Sequence, residues 1–299
     1  MNKELIVISG PTAVGKTSLA INLAKEINTE IISADSRQFY KELNIGVARP
    51  SQKELNFIKH HFIGHISIQD NYNAGEYEAE AIEKINSLFQ KYEKLVITGG
   101  SGMYIDAITK GMDNLPNVDK SIREELNELF KDNGITPLQE ELMEKDIEYY
   151  NIVDKQNHIR LIRALEIIRQ TGKTFTSFRT NPKKERDFKI KKFVLIRDRE
   201  ELIQRINQRV DIMVEEGLIE EARELYPFRD LNALNTVGYK ELFKYFDNKI
   251  SLEEAIEEIK INTRKYAKRQ VTWFRKDKDY TWLSADKEIN WKEVIHENI

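Results

Sequence analysis

Near its start the chain reads ELIVISGPTAVGKTS, in which Gly10, Pro11, Thr12, Ala13, Val14, Gly15, Lys16 and Thr17 follow an apolar run. Two glycines with four residues between them, then lysine and a hydroxyl residue, make a phosphate-binding loop of the ATP-binding type. Small residues let successive backbone N–H groups point into one anion cradle, Lys16 reaches the outer phosphates, and the Thr17 hydroxyl is placed to hold Mg²⁺. The helix-forming run SLAINLAKEI comes next. The cradle therefore also sits at a helix N-terminus, whose partial positive charge favours an anion. The loop alone does not say which diphosphate or triphosphate it holds.

Beside it, the run EIISADS ends on Asp35. A carboxylate there could accept a proton from a nucleophile approaching bound phosphate chemistry; the lesser alternative is an N-cap or a ligand to a Mg²⁺-bound water. A phosphate-hydrolysing motor carries an acid at the end of a further strand, but the run Leu95 to Thr98 ends in Gly99 and Gly100. Asp198, after FVLIR, is a possible substitute or simply the cap of the helix that follows. Two reaction types fit: phosphoryl transfer to a small acceptor, as in a nucleoside or metabolite kinase, or transfer of a carbon group with diphosphate leaving.

These residues need a frame. ELIVIS, EIISA and KLVITGG are short β-branched runs separated by helical segments at 17–27 and 74–91, which implies parallel strands joined by crossover helices. Sites of such sheets lie beyond the carboxyl ends of the strands, so the loops at 10–17, 35–38 and 99–104 are expected to converge. From about residue 119 the texture turns helical and charge-rich (SIREELNELFKDNG, TPLQEELMEKD, NHIRLIRALEIIRQTGK), then an Asn181-Pro182 turn and a lysine-rich stretch lead to KKFVLIRD, a strand resuming the sheet, with helices to the end. The expected fold is α/β: a P-loop NTPase-like parallel sheet flanked by helices over 1–118 and 188–299, with a helical insertion over 119–187.

Composition narrows the classes. With 299 residues, 40% hydrophobic and 32% charged, the chain reads as an ordinary globular protein, one main domain plus an insertion. No apolar run approaches the about 18 residues that span a bilayer, and no leader pattern precedes the first strand. No membrane association and a cytoplasmic location are expected. The absence of cysteine excludes disulfides, thiol catalysis and cysteine-ligated zinc. His60 and His61 lack metal-site spacing. The net charge of −3 is unevenly spread: residues 260–278 hold eight lysines and arginines against one acid, with Tyr266, Trp273 and Phe274 interleaved. Such a stripe suits a polyanion such as RNA, or a solvated helix whose Ile259, Tyr266, Val271 and Phe274 pack inward.

Nine segments in order along nearly the whole chain resemble one family, the bacterial tRNA dimethylallyltransferases or isopentenyltransferases: GPTAVGKT, ISADSRQFY, IGVARP, HHFIG, GGSGMYI, RLIRALE, QRINQRVDIM, TVGYKE and YAKRQVTWFR. Departures are Ser101 for a usual threonine, Val47-Ala48-Arg49 for Thr-Ala-Lys, Ile159 for a common glutamine, and Asn235 and Lys240 where arginines are frequent. The resemblance implies transfer of a dimethylallyl group from dimethylallyl diphosphate to the N6 amine of the adenosine 3′-adjacent to the anticodon. It implies that the loop from Gly10 to Thr17 and Arg209 hold the diphosphate with Mg²⁺, Thr17 being the metal contact. Asp35 would act as catalytic base beside Lys16, Thr17 and Arg209. It further implies tRNA contacts from Asp35, Ser36, Arg37, Gln38, Ser101, Arg123, Ile159, Arg160, Leu161, Ile162, Arg163, Asn235, Thr236, Val237, Gly238, Tyr239 and Lys240, with the insertion gripping the anticodon stem-loop. Nothing in the sequence calls for more than a monomer. A kinase would instead need ATP and no RNA, and a non-catalytic RNA-binding adaptor would leave Lys16 and Asp35 without a task.

Overall fold

The computed structural model describes residues 3–180, 184–287, 289–291 and 294. By contact density the chain divides into two compact units, Met1–Thr109 with Glu185–Ile299, and Lys110–Lys184; the sequence reading drew these boundaries at 119 and 187. The Asn181-Pro182 turn lies outside the described residues.

The first unit is built on β1 (Glu4–Ser9), β2 (Ile31–Ser33), β3 (His60–His61), β4 (Lys94–Gly99), β5 (Lys189–Ile196) and β6 (Tyr280–Ser284), with helices α1 (Lys16–Glu26), α2 (Gln52–Phe57), α3 (Ala74–Leu88) and α4 (Gly102–Thr109). The strands are parallel throughout and lie in the order β3-β2-β4-β1-β5-β6. Alternation along β1 explains the layering. Leu5 and Val7 face one apolar layer with Tyr77, Ala81 and Ile85 of α3, while Ile6 and Ile8 face another with Ala20, Leu23 and Ala24 of α1. Both faces of β1 are covered, so all six residues are buried and the strand reads as an unbroken apolar run. Strand β6 departs from the expectation of helices to the end. Its run YTWLS is short and follows a charged turn, and only its pairing with β5 turns it into sheet.

The insertion unit holds α5 (Lys120–Asn133), α6 (Thr136–Lys145), α7 (Ile147–Ile152) and α8 (His158–Thr171). Leu126, Leu138, Leu142, Leu161, Ile162 and Leu165 form its core. Leu161 and Ile162, expected at the RNA, are thus corrected to packing residues: their spacing on α8 turns both side chains inward, and they are 0% and 4% exposed. Ile159 on the same helix is 65% exposed. Glu166 is buried to 1% exposure and draws in two arginines, Arg123 through Nε and Nη2 at 2.6 and 2.7 Å, and Arg163 one turn away. A buried carboxylate holds its charge only when paired.

The remaining helices of the first unit are α9 (Arg199–Glu215), α10 (Leu218–Leu225), α11 (Tyr239–Phe246) and α12 (Leu252–Phe274). They enclose a separate core with Tyr40, Leu43, Val210, Leu218, Leu242 and Ile259. Replacing Arg123 and Arg163 together by alanine strands the Glu166 carboxylate, and the expected cost to the helical unit is about 3–5 kcal/mol. Urea unfolding followed by hydrogen exchange would show residues 110–184 opening earlier than in the parent; an unchanged midpoint would deny the pair this role.

Candidate functional site

The phosphate loop closes β1 onto α1. Gly15 caps α1 with φ 106, a conformation that β-carbon-bearing residues rarely adopt, and this turns the first amides of the helix toward the cradle. Within the loop the residues divide by task. Pro11 has no N–H to offer an anion; its carbonyl accepts from Lys16 Nζ at 2.7 Å and tethers the ammonium. The Thr12 N–H is already taken, donating to Gln270 Oε1 at 2.9 Å, whereas the Thr12 hydroxyl accepts from Arg209 Nη1 at 3.2 Å. Val14 packs its side chain into the core. Two arginines after β5 brace the loop from behind: Arg205 Nε donates to Ala13 O at 2.9 Å and Arg197 Nε to Val14 O at 3.0 Å.

Lys16, Thr17, Asp35 and Arg209 line a single cleft of roughly 680 Å³ with Ser36, Arg37 and Ser101. Its electrostatics are those of a site short of negative charge. Burial pulls the Lys16 ammonium down to about 7; the Asp35 carboxylate works against that shift and the Arg209 guanidinium adds to it. Burial lowers Arg209 as well, with Asp35 opposing and Arg205 contributing. Two cations thus face one carboxylate in a poorly hydrated place, which is the complement of a di- or trianion.

The Asp35 loop is fixed by its neighbours. Asp35 Oδ1 accepts from the Arg37 N–H at 3.1 Å, and the Arg37 guanidinium donates to Asn232 O and Ala233 O at 3.0 Å and to Asn235 O at 3.4 Å. Ser36 N–H donates to Ser101 Oγ at 3.0 Å, and the two hydroxyls lie 3.1 Å apart. Gln38 Nε2 donates to Val47 O at 3.2 Å and Ala48 O at 3.0 Å. The loops after β1, β2 and β4 therefore meet as the topology requires.

Asn235, Thr236, Val237, Gly238 and Lys240 line the same cleft. Tyr239 does not, and its expected RNA contact is corrected. Position 239 opens α11 on the side facing the core, where the ring is 0% exposed and its hydroxyl donates to Glu221. Asp198 caps α9 through the N–H groups of Glu200 and Glu201 at 2.8 and 3.3 Å. That leaves the cap as its place in the fold. Two carboxylates line the cleft among the described residues, and Glu241 has its oxygens engaged by Gly238 N–H at 2.9 Å and Asn262 Nδ2 at 2.7 Å. Asp35 is the one beside Lys16 and Arg209.

Sequence reasoning missed one face of α12. Tyr266, Gln270 and Trp273, spaced i, i+4, i+7, all line the cleft. Gln270 is buried; besides accepting from Thr12 it donates to Gly100 O at 2.9 Å, which joins the phosphate loop to the loop after β4. Tyr266 hydrogen-bonds with Ser101, and burial followed by the Asp35 charge raises its phenol to about 12. Trp273 Nε1 donates to Asp106 at 3.0 Å. The available signal was a lone glutamine, Gln270, among the basic and aromatic residues of YAKRQVTWFR. Of the basic residues on this helix, Lys260 pairs with Asp211 at 2.8 Å and Arg264 donates to Asn207 at 3.4 Å, while Arg269 lines the cleft.

A family model described as IPP transferase matches residues 38–277. The tRNA dimethylallyltransferase of Christiangramia forsetii is 57% identical over 93% of this chain and 92% of its own, and tRNA dimethylallyltransferase 1 of Phocaeicola vulgatus is 50% identical over 99% of both. Among solved structures, the full-length tRNA isopentenylpyrophosphate transferase of Bacillus halodurans superposes with a TM-score of 0.72 at 35% identity, covering 99% of this chain and 95% of that one. A eukaryotic dimethylallyltransferase acting on tRNA gives 0.79 at 27% identity, covering 99% and 79%. With the phosphate loop, the Asp35 loop and Arg209 gathered in one cleft and a family match across most of its length, the chain belongs to the IPP transferase family.

Proposed function

We propose that this enzyme transfers a dimethylallyl group from dimethylallyl diphosphate to the N6 amine of the adenosine 3′-adjacent to the anticodon of tRNA, releasing diphosphate. One observation carries the reading: a single carboxylate, Asp35, stands beside two half-buried cations at a phosphate loop, with no acid closing β4. A motor-type hydrolase would carry an acid at the end of β4, which ends on Gly99, and the relatives are prenyl transferases rather than kinases.

The chemistry follows from the nucleophile. An exocyclic adenine amine is weak because its lone pair is delocalised into the ring, so the allylic C–O bond must do most of the breaking. Lys16 and Arg209 stabilise the negative charge that grows on the departing diphosphate. Asp35 accepts a hydrogen bond from the amine and takes its proton as the C–N bond forms. The donor set suits Mg²⁺: the cleft offers hard oxygens, Thr17 Oγ1 among them, but no cluster of three or more acidic or histidine side chains occurs among the described residues. A metal that keeps few protein ligands and is held largely by substrate phosphates fits that pattern. When bound, Mg²⁺ adds further charge stabilisation on the leaving group.

Adenosine reaches the cleft only when swung out of the anticodon stack, at a cost of a few kcal/mol. Arg37, Lys240 and Arg269 along the cleft, and the exposed Ile159 and Arg160 of the helical unit, are the side chains proposed to meet RNA. Among the described residues no helix is long and apolar enough to cross a membrane. A monomer working in the cytoplasm completes the proposal.

Three outcomes test it. Purified protein with Mg²⁺, dimethylallyl diphosphate and unmodified tRNA is expected to yield a dimethylallyl adenosine by mass spectrometry of digested RNA; ATP consumption without that product would favour a kinase. Asp35→Ala and Arg209→Ala are each expected to lower single-turnover transfer ~10²-fold or more, and near-parental transfer by a folded Asp35→Ala protein would remove the base. The third concerns pH. Free Lys16 loses its proton as pH rises through about 7, whereas bound diphosphate draws the proton back, so binding takes up a proton and weakens as pH climbs. Once the terminal phosphate is fully ionised, above its last pKa near ~6 by analogy with a phosphate monoester, calorimetry is expected to show affinity falling up to roughly tenfold per pH unit. Lys16→Arg should flatten the slope, and an equally steep slope in that variant would assign the proton elsewhere.

A further inference from the structure

Glu221, on α10, lies outside every motif discussed above, yet its carboxylate gathers four donors. The backbone N–H groups of Asn44, Ile45 and Gly46 reach it at 3.2, 2.8 and 2.9 Å, and the Tyr239 hydroxyl at 2.6 Å. Three successive amides around one anion form a nest, here filled by the protein's own side chain. The fit is close. A Cβ on Gly46 would stand 2.6 Å from the Tyr239 ring, so only glycine lets the 44–48 loop approach α11 this far. Burial first, then the Glu221 charge, raise the Tyr239 phenol, which keeps it a donor.

These bonds close a ring around the Asp35 loop. On one side Gln38 is held by the carbonyls of Val47 and Ala48, in the loop that Glu221 grips. On the other, Arg37 is held by the carbonyls of Asn232, Ala233 and Asn235, in the segment that leads into Tyr239. Glu221 and Tyr239 join the two sides. Within the ring, Asp35 takes its orientation from the Arg37 N–H. The phosphate loop is outside it, held instead by Gln270, Arg205 and Arg197.

We propose that Glu221 is a positioning residue for prenyl transfer: by tying the 44–46 amides to Tyr239 it holds the Asp35 loop at the angle from which the carboxylate meets the amine. This rests on the transferase reading above. Because small misplacements of a reacting group cost rate steeply, Glu221→Gln, whose amide would turn donors toward donors, is expected to slow single-turnover transfer by about tenfold or more. Its affinity for dimethylallyl diphosphate with Mg²⁺ is expected to stay within about twofold, since the cradle is braced separately. Hydrogen exchange should quicken at residues 35–38 as well as 44–48 and stay unchanged at 10–17. Should Glu221→Gln not fold, Tyr239→Phe removes one donor and is expected to move rate and exchange the same way to a smaller degree. Transfer within about twofold of the parent, or diphosphate affinity falling in step with rate, would overturn the proposal. If the parent itself transfers no prenyl group, the function fails on its own, and exchange at 35–38 still decides the ring: quicker supports it, unchanged overturns it.

Discussion

The site depends on holding two partly desolvated cations beside a single carboxylate. Taking an ammonium or guanidinium out of water is costly, and burial is the leading cause of the lowered pKa of both Lys16 and Arg209. Asp35 offsets part of that cost for each. The remainder is a standing attraction for an anion. A loop carrying such charge needs bracing, and the tethers found here serve it: Pro11 O on Lys16, Thr12 Oγ1 on Arg209, Arg205 and Arg197 on the carbonyls behind. Each brace is a hydrogen bond from a cation to a neutral acceptor, stronger than neutral pairs and without cancelling the charge the anion will use.

Preorganisation then spreads outward through α12. Helical spacing places Tyr266, Gln270 and Trp273 on one face, and that face meets the loops after β1 and β4 together. Gln270 suits its place because an amide can accept from Thr12 and donate to Gly100 at once; a carboxylate could only accept, and would set a negative charge beside the phosphate loop. The Ser36–Ser101 contact carries the same order to the Asp35 loop without adding charge. Gln270, Ser36 and Ser101 thereby join the loops without adding charge of their own.

What was legible in the sequence follows from range. The phosphate loop, its flanking strand and helix, and the parallel alternation are local patterns, and β1, β2, β4, β5 and the long insertion helices lie where periodicity placed them. Strand β6 was not, because five residues after a charged turn carry too little pattern and are decided by the edge of β5. The same limit governed the site. Asp35 and Arg209, expected from position and resemblance, line the cleft, but Gln270 and Glu221 bond at separations of 258 and 175 to 177 residues, where no spacing rule reaches. Leu161, Ile162 and Tyr239 erred in the opposite direction. A motif marks a stretch, and only burial tells which of its side chains turn to the cleft and which hold the stretch in place.

The end of β4 shows why this frame lends itself to carbon transfer. Where a hydrolase would set an acid to order water and metal, β4 ends on Gly99; the Thr98 hydroxyl is turned back to Ile8 O at 3.1 Å, and Ser101 is engaged with Ser36. Removing that acid leaves the cleft with one carboxylate poised at the cations, on the loop of the neighbouring strand. Charge then has a direction. In the mechanism proposed above, cations at one end draw diphosphate away from the allyl carbon, the carbon becomes cation-like, and Asp35 takes the proton that the amine sheds as the new bond forms. On that proposal a second acid at β4 would oppose the departing anion.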